Sequence, residues 1–134
     1  MNVIEIKEFL EKSEHNWRID VVDDALVIAT EDDIKAVLTK SNSQILIESL
    51  LFPVSALSNP AEFDSAILHV HKTLPLTTVG KSLVNDEEYY CAFGALSSES
   101  KVENIELEVS MLFVNIIELL QFTTRFFKSN SEEK

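Results

Sequence analysis

The stretch QILIESLLFPVSALSNPAEFDSAILHVHKTLP, residues 44–75, contains a change of period that decides the fold. Its first third, QILIESLLF, places Ile45, Ile47 and Leu51 on one side and Glu48 on the other, a strand pattern of period two. The second half begins with Asn59-Pro60-Ala61-Glu62. Asn caps a helix, Pro fits its first position, and Glu at the third favours the positive end of the helix dipole. Phe63, Ala66, Ile67, Val70 and Leu74 then recur at helical spacing, and Pro75 marks the stop.

Working outward from this switch, the N-terminal side holds three more strand-like runs. WRIDVV sets Trp17, Ile19 and Val21 on one face, and Asp23-Asp24 makes a turn before ALVIAT. DIKAVLTK alternates Ile34, Ala36 and Leu38 against Lys35, Val37 and Thr39. A short helix over 31–40 is the competing reading; the alternation and the flanking turns favour a strand. The chain opens with Asn2-x-x-Glu5, a capping-box spacing, followed by Ile6, Phe9 and Leu10, so a helix is expected over about 3–14. Beyond Pro75, TTVGKSLV and EYYCAFGAL read as two strands joined around Asn85-Asp86. Ser100-x-x-Glu103 has capping-box spacing and begins a long helix expected to reach about Lys128. The expected order is α-β-β-β-β-α-β-β-α. That is an α+β fold, an antiparallel sheet with helices packed on one face. A single domain over 1–128 and a frayed polar tail over 129–134 complete the reading.

Composition narrows the function. The 134 residues are 46% hydrophobic, enough for a core, and the formal charge is −12. Eleven basic residues are scattered among 23 acidic ones, which opposes binding to nucleic acid or to an anionic membrane surface. The charge instead favours solubility and a basic protein partner. Cys91 is the sole cysteine, so no intrachain disulfide forms. With no secretory signal pattern at the N-terminus, a cytoplasmic setting is expected. The apolar run at 109–127 is broken by Asn115, Glu118, Gln121 and Arg125, so membrane insertion is not expected.

Chemistry is sparse. His69 and His71 lie two residues apart on an expected helix, about 200° around its axis, and cannot share one metal ion. No metal and no cofactor are expected. PLTTVGKS, residues 75–82, ends like a phosphate-binding loop. It has Pro75 where that loop needs Gly, and it continues as a strand rather than a helix. Acidic pairs at Asp23-Asp24, Glu31-Asp32-Asp33 and Asp86-Glu87-Glu88 sit at turns and lack calcium-loop spacing. His71 flanks the apolar stripe of its helix, which suggests packing against the sheet. The rival reading is a small enzyme or ligand-binding domain with a pocket around His71, Tyr90 and Cys91.

The C-terminal helix is apolar on more than one side. Ile105, Val109, Leu112, Phe113, Ile116, Leu120 and Phe127 form the main face, broadened by Ile117 and Leu119. A second stripe of Leu107, Met111, Val114 and Phe122 runs near the opposite side, interleaved with Glu118 and Arg125. One sheet cannot cover both. Either the N-terminal helix buries the second stripe, or it meets a partner, of which a twofold homodimer is the commonest form.

The segments ILIESLLFPVS, ILHVHKTLPLTT and YYCAFGALSS resemble the bacterial YjfI-like family, over the middle half of the chain. The resemblance implies an architecture like that of type III secretion chaperones, small acidic α+β proteins that often dimerise. It also implies a link to membrane-stress proteins of the phage-shock type, near whose genes the family's are thought to sit. It carries over no catalytic residue. The expectation is a non-enzymatic protein–protein interaction module, chaperone-like or an adaptor.

Overall fold

A computed structural model describes residues 1–129. The elements follow in the order α1 (Val3–Glu11), β1 (Arg18–Val22), β2 (Ala25–Ala29), β3 (Lys35–Lys40), β4 (Gln44–Pro53), α2 (Pro60–Val70), β5 (Thr78–Val84), β6 (Glu87–Ser97) and α3 (Val102–Thr123). This is the expected α+β order. From residue 130 on, the expected polar tail lies outside the described residues.

The six strands form one antiparallel sheet in the order β1-β2-β3-β4-β6-β5. The first four are a meander. Helix α2 then carries the chain over the sheet to its far edge, and the β5–β6 hairpin brings β6 back beside β4. Asn85 and Asp86 both take positive φ, 52° and 65°, which gives that hairpin a two-residue turn matched to the strand twist. Neighbouring strands align Ile19 with Ile28, Ile28 with Ala36, Leu26 with Leu38, Leu38 with Ile47, and Ser49 with Ala92. All of these side chains are buried, so they define the inner face under the helices. The outer face keeps Val37 and Leu50 exposed.

A bulge at Leu50/Phe52 shifts the register of β4. Strict alternation put Leu51 on the inner face. The bulge leaves Leu51 partly buried and sends Phe52 inward, opposite Tyr90. Phe52 joins an aromatic cluster centred on Phe63 of α2. The Phe63 ring centroid lies 4.8 Å from Tyr90, 5.2 Å from Phe126 and 5.9 Å from Phe52.

Both expected N-caps on α1 and α2 form. Glu5 N donates to Asn2 Oδ1 at 2.9 Å, and Glu62 N donates to Asn59 Oδ1 at 3.2 Å. The helices end earlier than expected. Helix α1 stops at Glu11, and α2 tightens into a 3-10 turn over His71–Thr73, where Thr73 Oγ1 donates to Val70 O. Helix α3 stops at Thr123, after which Phe127 bridges to Leu57 and Lys128 N donates to Ala56 O at 2.9 Å. This bridge pulls Phe126 and Phe127 into the aromatic cluster and outweighs continued helix.

Phe63 is the centre of that cluster. Phe63→Ala should lower stability by about 3–5 kcal/mol through lost transfer energy and a cavity. Urea unfolding checks this: the midpoint should fall with an unchanged slope.

Candidate functional site

Helix α3 carries the features not consumed by the core. Its N-cap is Lys101, which makes no side-chain capping bond, so the expected Ser100–Glu103 box does not form; Ser100 N instead turns back to Ser97 O. The buried face is Ile105, Val109, Leu112, Ile116, Leu119 and Thr123, spaced by four and three. This face excludes Ile117 and Leu120, which stay exposed, and includes Leu119.

The second stripe divides. Leu107 is 51% and Val114 50% exposed, and Met111 between them is partly exposed. Helix α1 lies over β1, β2 and part of α3 without burying these residues. Phe122 does not share their surface. Its ring lies 5.6 Å from Phe126 and 6.3 Å from Phe63, with the Arg125 guanidinium 5.5 Å above it. The half-exposed stripe is therefore Leu107, Met111 and Val114, extended by Ile117.

One turn aside lies a residue the sequence pattern had hidden. Glu108 is only 6% exposed, and its Oε2 has no hydrogen-bond partner among the described residues. Burial raises its pKa above the ordinary glutamate value. It fits because β6 has Gly94 beneath it: a Cβ at Gly94 would lie 2.9 Å from the Glu108 side-chain carbons. Glu108 borders an open cavity of about 840 Å³ between β6 and the segment after α2. The cavity wall includes Leu68, Leu76, Thr77 and Phe93, with His69, His71 and Lys72 also present. Leu76 adopts φ 65°, a strained conformation for a non-glycine residue. Buried Asn115 holds this turn by donating to Pro75 O at 2.8 Å and to Thr77 Oγ1 at 2.7 Å.

His71 and Tyr90 come together at a smaller cavity of about 210 Å³, lined also by Asp64, Ile67, Val79 and Lys81. His71 packs against the sheet as the sequence suggested, its Nε2 accepting from Val79 N at 3.0 Å. Tyr90 donates to Asp64 Oδ1, and Asp64 also pairs with Lys81 at 2.9 Å. Burial, then the bond to Asp64, push the phenol well above its usual pKa, so it stays protonated. Cys91, next along β6, points to the other face of the sheet. There it accepts from Ser82 Oγ, and burial raises its pKa. His71 and Cys91 are thus on opposite sides and do not form a nucleophile–base pair. His69 is exposed and turned to Ser65 O, away from His71's bond. Gly80, Lys81 and Ser82 are strand residues of β5, with no helix start to cradle phosphate. Among the described residues no three His, Cys, Asp or Glu side chains gather to hold a metal. No described helix is long and apolar enough to cross a membrane.

Residues 2–127 match DUF2170, a family of uncharacterized proteins conserved in bacteria. The chain belongs to this family. It is 38% identical over 115 residues to the uncharacterized protein YjfI of Escherichia coli K12, covering 84% of this chain and 86% of YjfI. This bears out the resemblance read from the sequence. Two solved structures share the fold. YbjN of E. coli, a proposed transcription regulator, superposes with a TM-score of 0.68 at 11% identity, over 96% of this chain and 97% of YbjN. A chain of the HopA1–SchA chaperone–effector complex gives 0.55 at 15% identity, over 85% of this chain and 86% of that one. The second agrees with the architecture expected from type III secretion chaperones.

Glu108 should make stability fall as pH rises. Its folded pKa exceeds the unfolded one, so its protonated form favours folding at low pH. That advantage is lost as pH rises through the folded value. Glu108→Gln should match the parent's urea midpoint at about pH 4 and exceed it at about pH 8. Parallel pH profiles for the two proteins would contradict this account.

Proposed function

We propose that this chain is a non-enzymatic protein-interaction module that binds a partner protein through the exposed stripe of α3. The observation that carries the reading is the run Leu107, Met111, Val114 on a helix whose other side is already seated on the sheet. Apolar side chains left half-exposed in register gain roughly 25 cal/mol per Å² when covered, before association costs. Glu103 and Glu118 continue the same line at either end, so the surface is apolar in the middle and anionic at its ends. With a net charge of −12, that favours a partner segment with apolar residues flanked by basic ones. The fold shared with a chain of a chaperone–effector complex supports a protein partner over a small substrate. A single, buried cysteine suits a cytoplasmic setting.

The double variant Leu107→Glu, Val114→Glu tests this. Both positions are half-exposed, so the fold should survive with a change of about 0.5 kcal/mol per site. Proteins co-purified from the native cell and identified by mass spectrometry should lose a partner with this variant and keep it with Val22→Glu, an equally exposed control on β1. Light scattering identifies the case in which the partner is a second copy, as a fall from dimer to monomer mass. A double variant that keeps both its partners and its mass would sink the proposal. Loss of the far-ultraviolet circular dichroism would do the same, since the stripe would then be core.

A further inference from the structure

We propose that the cavity between β6 and the segment after α2 is a receptor for a basic side chain, with Glu108 as its counter-ion and the leucines beside it as the seat for neighbouring apolar residues. This rests on its own residues and holds whether or not the stripe of α3 binds a partner.

A carboxyl group shielded from water without a hydrogen-bond partner is costly, and buried polar groups in folded chains are nearly always satisfied. Glu108 departs from that rule at its Oε2, and the rest of the site is arranged around it. Gly94 leaves room for its carbons where any side chain would collide. Asn115 holds the adjoining turn in the strained form that places Leu76 at the cavity. Leu76 and Leu68, 53% and 76% exposed, offer apolar surface on the same wall.

The chemistry of the ligand follows. A cavity of about 840 Å³ is far larger than a metal ion needs, and one carboxylate supplies too few oxygens for one. An anion would meet Glu108. An ammonium or guanidinium on an alkyl stem matches both parts, the stem lying on leucine and the head reaching the carboxylate. Once paired, the carboxylate no longer needs to hold its proton, so binding the cation offsets the desolvation that burial imposes. The other charged or titratable groups on the cavity wall are His69, His71 and Lys72. His71 Nε2 is engaged with Val79 N and His69 Nδ1 with Ser65 O. Lys72, exposed on the 3-10 turn, is the resident cation that an incoming one must displace or tolerate.

The probe is the tripeptide acetyl-Leu-Lys-Leu-amide, titrated into the ¹⁵N-labelled full chain and followed by amide shifts. Saturable shifts should centre on Gly94, Ala95, Leu76 and Thr77. The same peptide with norleucine or glutamate for lysine should bind about tenfold more weakly or worse, the loss of one charge-assisted contact. Glu108→Gln should remove the lysine preference while keeping its dispersed spectrum, and Lys72→Ala should tighten the lysine peptide. The titration is blind to Leu107 and Val114, so the stripe variant should bind the peptide normally and the two readings fail separately. Absence of saturable shifts, equal affinity for the lysine and norleucine peptides, or an undiminished lysine preference in Glu108→Gln would each overturn the proposal.

Discussion

The inner side of this molecule depends on the seating of α3 across β6 and β4, and at Gly94 that seating leaves room for the Glu108 side chain. The helix lays Ile105, Val109, Leu112, Ile116 and Leu119 on the sheet, a periodic contact that many helices could make. What is particular here is the residue beside that row. Glu108 falls at the edge of the buried face, and a Cβ at Gly94 would lie 2.9 Å from its side-chain carbons, so its carboxyl end would have to shift. The helix is seated at the cost of one buried carboxylate oxygen, Glu108 Oε2, that no other described residue satisfies. Since an apolar residue of similar volume would remove that penalty, packing alone gives no reason for glutamate at this position.

The same seating fixes what the helix leaves outward. Once the row from Ile105 to Leu119 faces the sheet, Leu107, Met111 and Val114 are rotated away from the inner face, and α1 is too far along β1 and β2 to cover them. The aromatic cluster settles the far end. Phe127 is drawn to Leu57 and Phe52 and Phe126 to Phe63, which ends the helix at Thr123 with Phe122 packed on Phe126. Continuing the helix would have gained a turn of hydrogen bonds. It would have forfeited the packing of Phe126 on Phe63 and of Phe127 on Phe52, and burial of that size prevails.

The element order was legible because most of it rests on local signals: the Asn2 and Asn59 caps, the change of period after Phe52, and the turn at Asn85-Asp86. The failures have nonlocal causes. Ser100 and Glu103 have the spacing of a capping box, but Ser100 N is taken by Ser97 O as the chain leaves β6, and the helix starts a residue later. The bulge in β4 is fixed by pairing with β6, which single-strand alternation cannot foresee. Leu120 and Ile117 read as core because a wide apolar face hides where its centre lies. Glu108 was missed altogether: on a helical wheel a glutamate reads as solvated. The signal that could have found it was the scarcity of glycine, for one of only two in the chain sits mid-strand in β6, where a glycine often marks close approach.

The two histidines that first suggest chemistry show how far local geometry constrains function. His69 and His71 are separated by the helix and then by the 3-10 turn, so that His71 spends its Nε2 on the first residues of β5. That bond anchors the segment between α2 and β5 at one end, and Asn115 anchors it in the middle through Pro75 and Thr77. A loop tied at two points can hold Leu76 in an unfavourable conformation, where a free loop would relax. The histidine is thus better understood as part of the frame around the cavity that Glu108 borders. The strain stored at Leu76 is sustained by polar bonds to α3 and β5, the same elements that supply Glu108 and border that cavity.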